Sequence, residues 1–359
     1  MIQNMNSSLQ FGRKRNRNIV RKAASKIYYE MRSCASFFIP TCVVLLYHRV
    51  TREKLVGMPN LGVSPDVFES QIAFLKKNYP ILPLQNAVEL SKNGKLPRRS
   101  VVITFDDGYV DSFEEVLPII KRHEVPMTLF VTAGKVDQMN EFWWDDLERI
   151  FLLGKELPEV LEMNLEGELK KWNISDNSPS IVYEELMTQL KSRSERVIRE
   201  KINELCEWAG LEEMGRKSHR VVTKEELVQL SQCPYIEIGA HTVNHLSLSS
   251  QSNGDQEYEI KHSKKLLEEM LGEKIQSFAY PFGYPEEHFN GIAAQISKDA
   301  GFNVAVTTLP LSMRNYLKDT YRIPRYPVYE WTESELKENL KQYFKRSGFW
   351  QKIKFADLY

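Results

Sequence analysis

The stretch VVITFDDGYVDSF, residues 101–113, ends a run of buried-strand character with two adjacent carboxylates, Asp106 and Asp107. The apolar, β-branched VVITF suits a strand covered on both faces. In a regular strand the two acids would point to opposite sides. At a strand end, with Gly108 free to turn sharply, both can face one pocket. Two close carboxylates stay ionised at low cost only with a cation between them, so the pair predicts a metal. A helix is expected immediately afterwards, capped by Asp111 or Ser112 and carrying Glu114 and Glu115 in its first turn.

Working outward, similar runs recur: VVLLY (43–47), MTLFV (127–131), IEIGA (236–240), SFAYP (277–281) and NVAVTT (303–308). Helical patterns at 65–78, 112–123, 224–231, 255–271 and 288–300 separate them. This alternation predicts an α/β fold whose parallel strands are covered by helices. Residues 151–220 break the rhythm with charged helical stretches and the polar patch NISDNSPS, and read as a helical insertion. The expected organisation is a basic arm (1–42), one barrel (43–345) and a short tail (346–359).

Lys and Arg total 48 among the 359 residues and Asp and Glu also total 48, so net charge points to no nucleic-acid partner. Cys34, Cys42, Cys206 and Cys233 show neither CxxC spacing nor the density of a disulfide scaffold. The basic segment RKRNRNIVRKAASKIYYEMR precedes an apolar run interrupted by Pro40, which is too short for a spanning helix. It reads as an amphipathic arm suited to peripheral contact with an anionic membrane, against the plainer alternative of a frayed terminus. Without a clear signal-peptide pattern, the expected location is cytoplasmic, at the inner membrane face, with export as the alternative.

Further metal-suited residues sit at other strand ends. His241 follows IEIGA, and His245 lies one helical turn beyond it. Two imidazoles and one carboxylate make a three-ligand site with open positions, for which zinc is the best fit and cobalt, nickel or iron are acceptable. His48 follows VVLLY, and YPFG (280–283) follows SFA. In a parallel barrel these carboxyl-terminal strand ends converge on one mouth.

TFDDGY (104–109), HTVNH (241–245) and FAYPFG (278–283) together resemble the polysaccharide deacetylases of carbohydrate esterase family 4, the NodB homology group. The resemblance implies a distorted (β/α)₇ barrel and metal-dependent removal of N-acetyl groups from an amino-sugar glycan. It makes Asp106 the general base and Asp107, His241 and His245 the metal ligands. The Tyr109 backbone N–H would stabilise the oxyanion, and Tyr280 and Phe282 would line the acetate pocket. Two departures stand out. FAYPFG lacks the family's base-orienting arginine, for which Arg322 or Arg325 of RIPR could substitute; Arg325 is grouped with Tyr109 and Tyr280 about the substrate. No histidine follows His288, whereas the family has a carboxyl-terminal L-x-H acid. LYH (46–48) carries that pattern at the other end of the chain, as in circularly permuted exopolysaccharide deacetylases, so His48 is assigned as general acid.

His123 reads as a helix-end cation, and His219, His262 and His288 as exposed. Trp143 and Trp144 of FWWDD could stack on a sugar but read as packing residues. Two alternatives remain open: an O-acetyl esterase on the same type of glycan, and a non-catalytic carbohydrate-binding barrel. A two-histidine, one-carboxylate oxygenase fits less well, because FDDG precedes the histidines and no HxD pattern appears.

Overall fold

A computed structural model describes residues 40–346, apart from 154–155, 166, 175–177 and 213–214. The amino-terminal arm and most of the expected tail lie outside the described residues. Six parallel strands run through the eight-stranded main sheet, whose antiparallel member Met313–Arg314 pairs with Thr41 and Cys42: β1 (Thr41–Tyr47), β2 (Ser100–Phe105), β3 (Met127–Val131), β4 (Ile236–Ala240), β5 (Ser277–Ala279) and β6 (Val304–Val306). They lie in the order β6–β5–β4–β3–β2–β1, each parallel to its neighbour. A short seventh strand, Tyr326–Pro327, runs parallel to β1. The segment before it bonds to β6, with Ile323 N–H donating to Ala305 and Thr307 N–H to Ile323. Residues 320–327 therefore bridge the two sheet edges, and the fold is a distorted (β/α)₇ barrel.

Alternation along the strands separates two apolar layers. Val44, Val102, Phe130 and Val304 pack inside the barrel, joined by Leu84 and Val88 of the helix Leu84–Lys92. Val43, Ile103 and Leu129 face outward against the surrounding helices. Pro65–Asn78 and Lys224–Ser231 form as expected, the latter closed by a capping box between Thr223 and Glu226. The helix after FDDG begins with a π turn, Ser112–Val116. Asp111 does not cap it; its carboxylate instead accepts from Arg49 Nε at 2.7 Å. The last expected helix starts later, at Gly291, where Asn290 provides the cap.

The insertion is less purely helical than its composition suggests. It includes an antiparallel hairpin, Val160–Leu165 with Glu168–Asn173, before the helices Pro179–Leu190 and Glu195–Trp208. The alternating burial of Val160–Leu165 gives the period of two. Among the described residues no helix is long and apolar enough to cross a membrane.

Gly239 is where β4 comes closest to the barrel interior. A Cβ there would lie 2.5 Å from the Phe130 ring and 2.7 Å from Ser277 Oγ. Both neighbours are buried, so neither can swing away. Gly239→Ala is expected to lower unfolding free energy by about 1–3 kcal/mol, the usual cost of overpacking; chemical denaturation would measure this.

Candidate active site

The strand register builds the site. Tyr47 pairs with Phe105, so the residues that follow, His48 and Asp106, emerge side by side. Asp106 continues the inward row of Val102 and Thr104, and its N–H donates to Tyr47 O at 3.0 Å. Asp107 would then face outward, but the chain reverses: Asp107 has φ 73° and Gly108 φ 80°. A left-handed aspartate is tolerated better than most side chains. Both carboxylates thus reach the mouth, as the sequence suggested.

His241 follows β4, which is in register with β3, and its N–H donates to Val131 O at 2.9 Å. The His241–His245 segment is not the helical turn expected from its spacing. Thr242 and His245 both have positive φ, and the turn is held from behind by Glu259. Glu259 Oε2 accepts the Val243 and Asn244 N–H groups at 2.9 and 2.8 Å, and its Oε1 accepts Asn244 Nδ2 at 2.7 Å. Glu259 is itself buried in a π turn of the following helix, Tyr258–His262.

The donor set suits a metal. Ligand atoms of Asp107, His241 and His245 lie within 4.8 Å of one another, and all three residues are buried. Asp107 Oδ1 is 3.5 Å from His241 Nε2 and 3.3 Å from His245 Nε2, yet has no well-formed hydrogen bond. Two ligands each about 2.1 Å from a tetrahedral ion stand about 3.4 Å apart, which matches these separations. His241 Nδ1 meets Ala279 O at 2.8 Å, leaving Nε2 free to point at the cluster. Burial lowers the proton affinity of His241, but Asp106 and Asp107 outweigh it and hold this imidazole above its usual range. Burial dominates at His245, which is held below it.

Asp106 is held differently. Burial alone would raise its pKa, but Arg325, together with His241 and His48, more than offsets this and keeps it below the usual carboxylate range. Arg325 donates from Nη1 to Oδ1 and from Nη2 to Oδ2, both at 2.7 Å. Its Nε donates to Thr307 O, and Nη1 also reaches Thr104 Oγ1. Of the two arginines singled out in RIPR, Arg322 instead pairs with Asp319 at 3.2 Å.

These groups open into a cavity of about 300 Å³ that His48 also lines. Burial holds the His48 imidazole below its usual proton affinity, partly offset by the two aspartates. Arg49, next in the chain, is fully buried between Asp111 and the Ser218 carbonyl and fastens this strand end to the FDDGYVD turn.

Other expected residues lie elsewhere. The Tyr280 side chain turns away from the cavity, stacks on Phe289 with centroids 3.8 Å apart, and donates to Tyr321 O. Phe282, two residues on, does line the cavity and packs edge-on to His245. The Tyr109 ring also points away, its hydroxyl donating to Asp145 at 2.6 Å, which leaves only its backbone N–H for a role near Asp107. Trp144, assigned to packing, is buried and also a cavity wall, 4.7 Å from the His245 ring. Its indole N–H donates to the Tyr109 hydroxyl. His219 and His288, read as exposed, are buried. No periodicity signalled Trp144; the neighbouring DD of FWWDD, at the start of a short helix, was the available clue.

The polysaccharide deacetylase family model matches residues 93–160 and 197–305. The chain belongs to that family. The interval between the two matched stretches contains most of the hairpin and the helix Pro179–Leu190. A poly-beta-1,6-N-acetyl-D-glucosamine N-deacetylase of Staphylococcus aureus is 32% identical over 137 residues, covering 35% of this chain and 46% of the relative. The chain spans about half the length of the curated relatives it matches. Among solved structures, the Streptococcus pyogenes deacetylase PplD has a TM-score of 0.54 at 19% identity, covering 84% of this chain and 99% of PplD. IcaB from Ammonifex degensii has a TM-score of 0.53 at 18% identity, covering 85% and 97%. Both share the barrel fold.

The role of Glu259 in holding this turn is testable. Glu259→Ala strips two backbone N–H groups of their acceptor and should weaken zinc or cobalt binding about 10–100-fold, with Glu259→Gln intermediate. Competition against a chromophoric chelator measures this, and an unchanged affinity would show that the turn holds its shape without Glu259.

Proposed function

We propose that this deacetylase-family chain is a metal-dependent hydrolase that removes N-acetyl groups from an amino-sugar glycan. One observation carries the reading: a three-ligand cation site and a second, arginine-held carboxylate share one cavity at the strand ends. A divalent metal held by Asp107, His241 and His245, with zinc the best match to the donor set, would supply an acidified water and a positive charge facing the acetyl carbonyl.

Asp106 is the base. Arg325 fixes both its oxygens, keeps it ionised and sets the direction from which it takes the proton of the attacking water. The Tyr109 backbone N–H stands beside Asp107 as a donor for the developing oxyanion. His48 is the acid: it lines the cavity beside Asp106, and the leaving amine nitrogen takes a proton from its imidazolium as the C–N bond breaks. Acetate and a free amino sugar result. Trp144 and Phe282 exclude water from one side of His245 and offer apolar faces to the sugar ring and acetyl methyl.

Acetate release from N-acetylated glucosamine oligomers, with and without chelation, tests this reading. Chelation should abolish turnover and added zinc or cobalt restore it. Asp106→Asn and His48→Ala should each lower kcat by about 10²–10⁴-fold while metal content stays near wild type. Unchanged turnover in either variant would remove that residue from its role. Release of acetate from O-acetylated but not N-acetylated glycans would replace the amidase reading with an esterase one.

A further inference from the structure

The cavity is walled on one side by a strap that leaves β1 after His48, loops past the cavity over residues 51–61 and returns to pair Gly62 and Val63 with Arg49 and Val50. The strap is pinned at both ends. At one end, the Val56 and Gly57 N–H groups both donate to Glu148 Oε1, at 2.6 and 2.9 Å. Glu148 Oε2 is held in turn by Arg216 Nη1 at 2.9 Å. Gly57 lies so close to the helix Pro179–Leu190 that a Cβ would fall 2.6 Å from the Tyr183 hydroxyl. At the other end, the Ser64 N–H and hydroxyl both donate to the Glu330 carboxylate, at 2.6 and 2.5 Å.

Between the pins, Met58, Asn60 and Leu61 line the cavity. The wall continues on one side through Trp144 and Met187 and on the other through Tyr329, the residue before Glu330. Met187 shares its helix with Tyr183, the residue that abuts the strap. Strap, insertion and closing segment thus form one continuous barrier beside the metal ligands. A glycan bound through an internal residue needs two exits from the site, one for each flanking sugar, and this wall occupies one of them. The volume, about 300 Å³, is at the small end of the range for ligand pockets, which suits one acetamido sugar better than several. Apart from Asn60 and the Tyr329 hydroxyl, the wall side chains Met58, Leu61, Trp144 and Met187 offer mainly apolar surface to a further sugar.

We infer that the site acts on the terminal N-acetylated sugar of its substrate, at one end of the chain only. The inference rests on the deacetylase reading and specifies how a substrate enters. Its test uses the full-length, zinc-loaded enzyme and N-acetylglucosamine pentamers in β-1,4 and β-1,6 linkage, isotopically labelled at the reducing end. An N-acetylglucosamine glycoside serves as the single-sugar probe. After less than one turnover per oligomer, tandem mass spectrometry locates the free amine. The expected product carries it at one end, and the glycoside is also turned over. In Met58→Ala/Leu61→Ala, which removes side chains from the wall and leaves both pins intact, the internal share should rise roughly tenfold or more, the scale of discrimination that steric exclusion supplies.

Internal or evenly distributed amines in wild type would overturn the inference and leave the deacetylase reading standing. An unchanged product map in the double variant would show that the strap does not set the register, which also overturns it. Acetate from none of the three probes would count against the deacetylase reading itself, and the inference would fall with it.

Discussion

The bidentate pair between Arg325 and Asp106 joins the fold to the site. Arg325 is fully buried on the segment that bridges the first and last long strands, and its three nitrogens reach β2, the end of β6 and the carboxylate. Below it lies Phe130, its ring centroid 5.6 Å from the guanidinium carbon. That ring has its place because Gly239 has no side chain. A buried ion pair gains little over an apolar pair of similar shape, since both ions lose their water. Removing one partner is costly, about 3–5 kcal/mol, because the other is left charged in the interior. The pair therefore makes barrel closure and an ionised, directed Asp106 the same condition.

A second buried network holds the other half of the mouth. Arg49 stands over the Tyr109 ring at 4.3 Å and binds Asp111, so the strand bearing His48 and the turn bearing Asp107 move together. Tyr109 passes the connection through its hydroxyl to Asp145 and Trp144, and Trp144 packs on His245. The insertion docks on this same network through Glu148 and Tyr183. Its effect on the cavity follows: it adds no ionisable group to the metal cluster but fixes the apolar wall and the strap beside it.

What could be read in the sequence and what could not divide along physical lines. Strand ends were legible because β-branched runs stop at residues that packing does not explain: His48, Asp106, Asp107 and His241. The helical reading of 241–245 failed because its conformation is set by Glu259, a residue from another element whose role no local pattern announces. Tyr280 was misplaced through its motif, since at a strand end a one-residue change of direction decides which side chain faces the mouth, and here it is Phe282. Arg325 and Arg322 are equivalent in sequence; burial against Thr104 and Thr307 separates them. His219 and His288 sit in polar stretches yet are buried. The wall formed by Met58, Leu61 and Met187 joins segments more than a hundred residues apart, a contact that composition and period do not encode.

One comparison within the molecule shows why residue type alone does not define a metal site. Among the described residues a second buried group, Asp145, Glu148 and His219, brings its ligand atoms as close together as the first. There the positive charge is already supplied. Arg216 donates to Glu148, Arg49 stands nearby, and burial together with these two guanidinium groups pushes the His219 imidazole down to about 2. Glu148 has no oxygen to spare, with one taken by Arg216 and the other by the strap's two N–H groups. At Asp107 the balance is reversed. Its Oδ1 has no well-formed hydrogen bond, two imidazole nitrogens converge on it, and the nearest guanidinium is engaged with Asp106. A cation entering the second group would displace arginines that hold the insertion to the barrel. At the first it would meet Asp107, His241 and His245 with no guanidinium to displace, so the adjacent acids of FDDG face different partners, Asp107 two imidazoles and Asp106 an arginine.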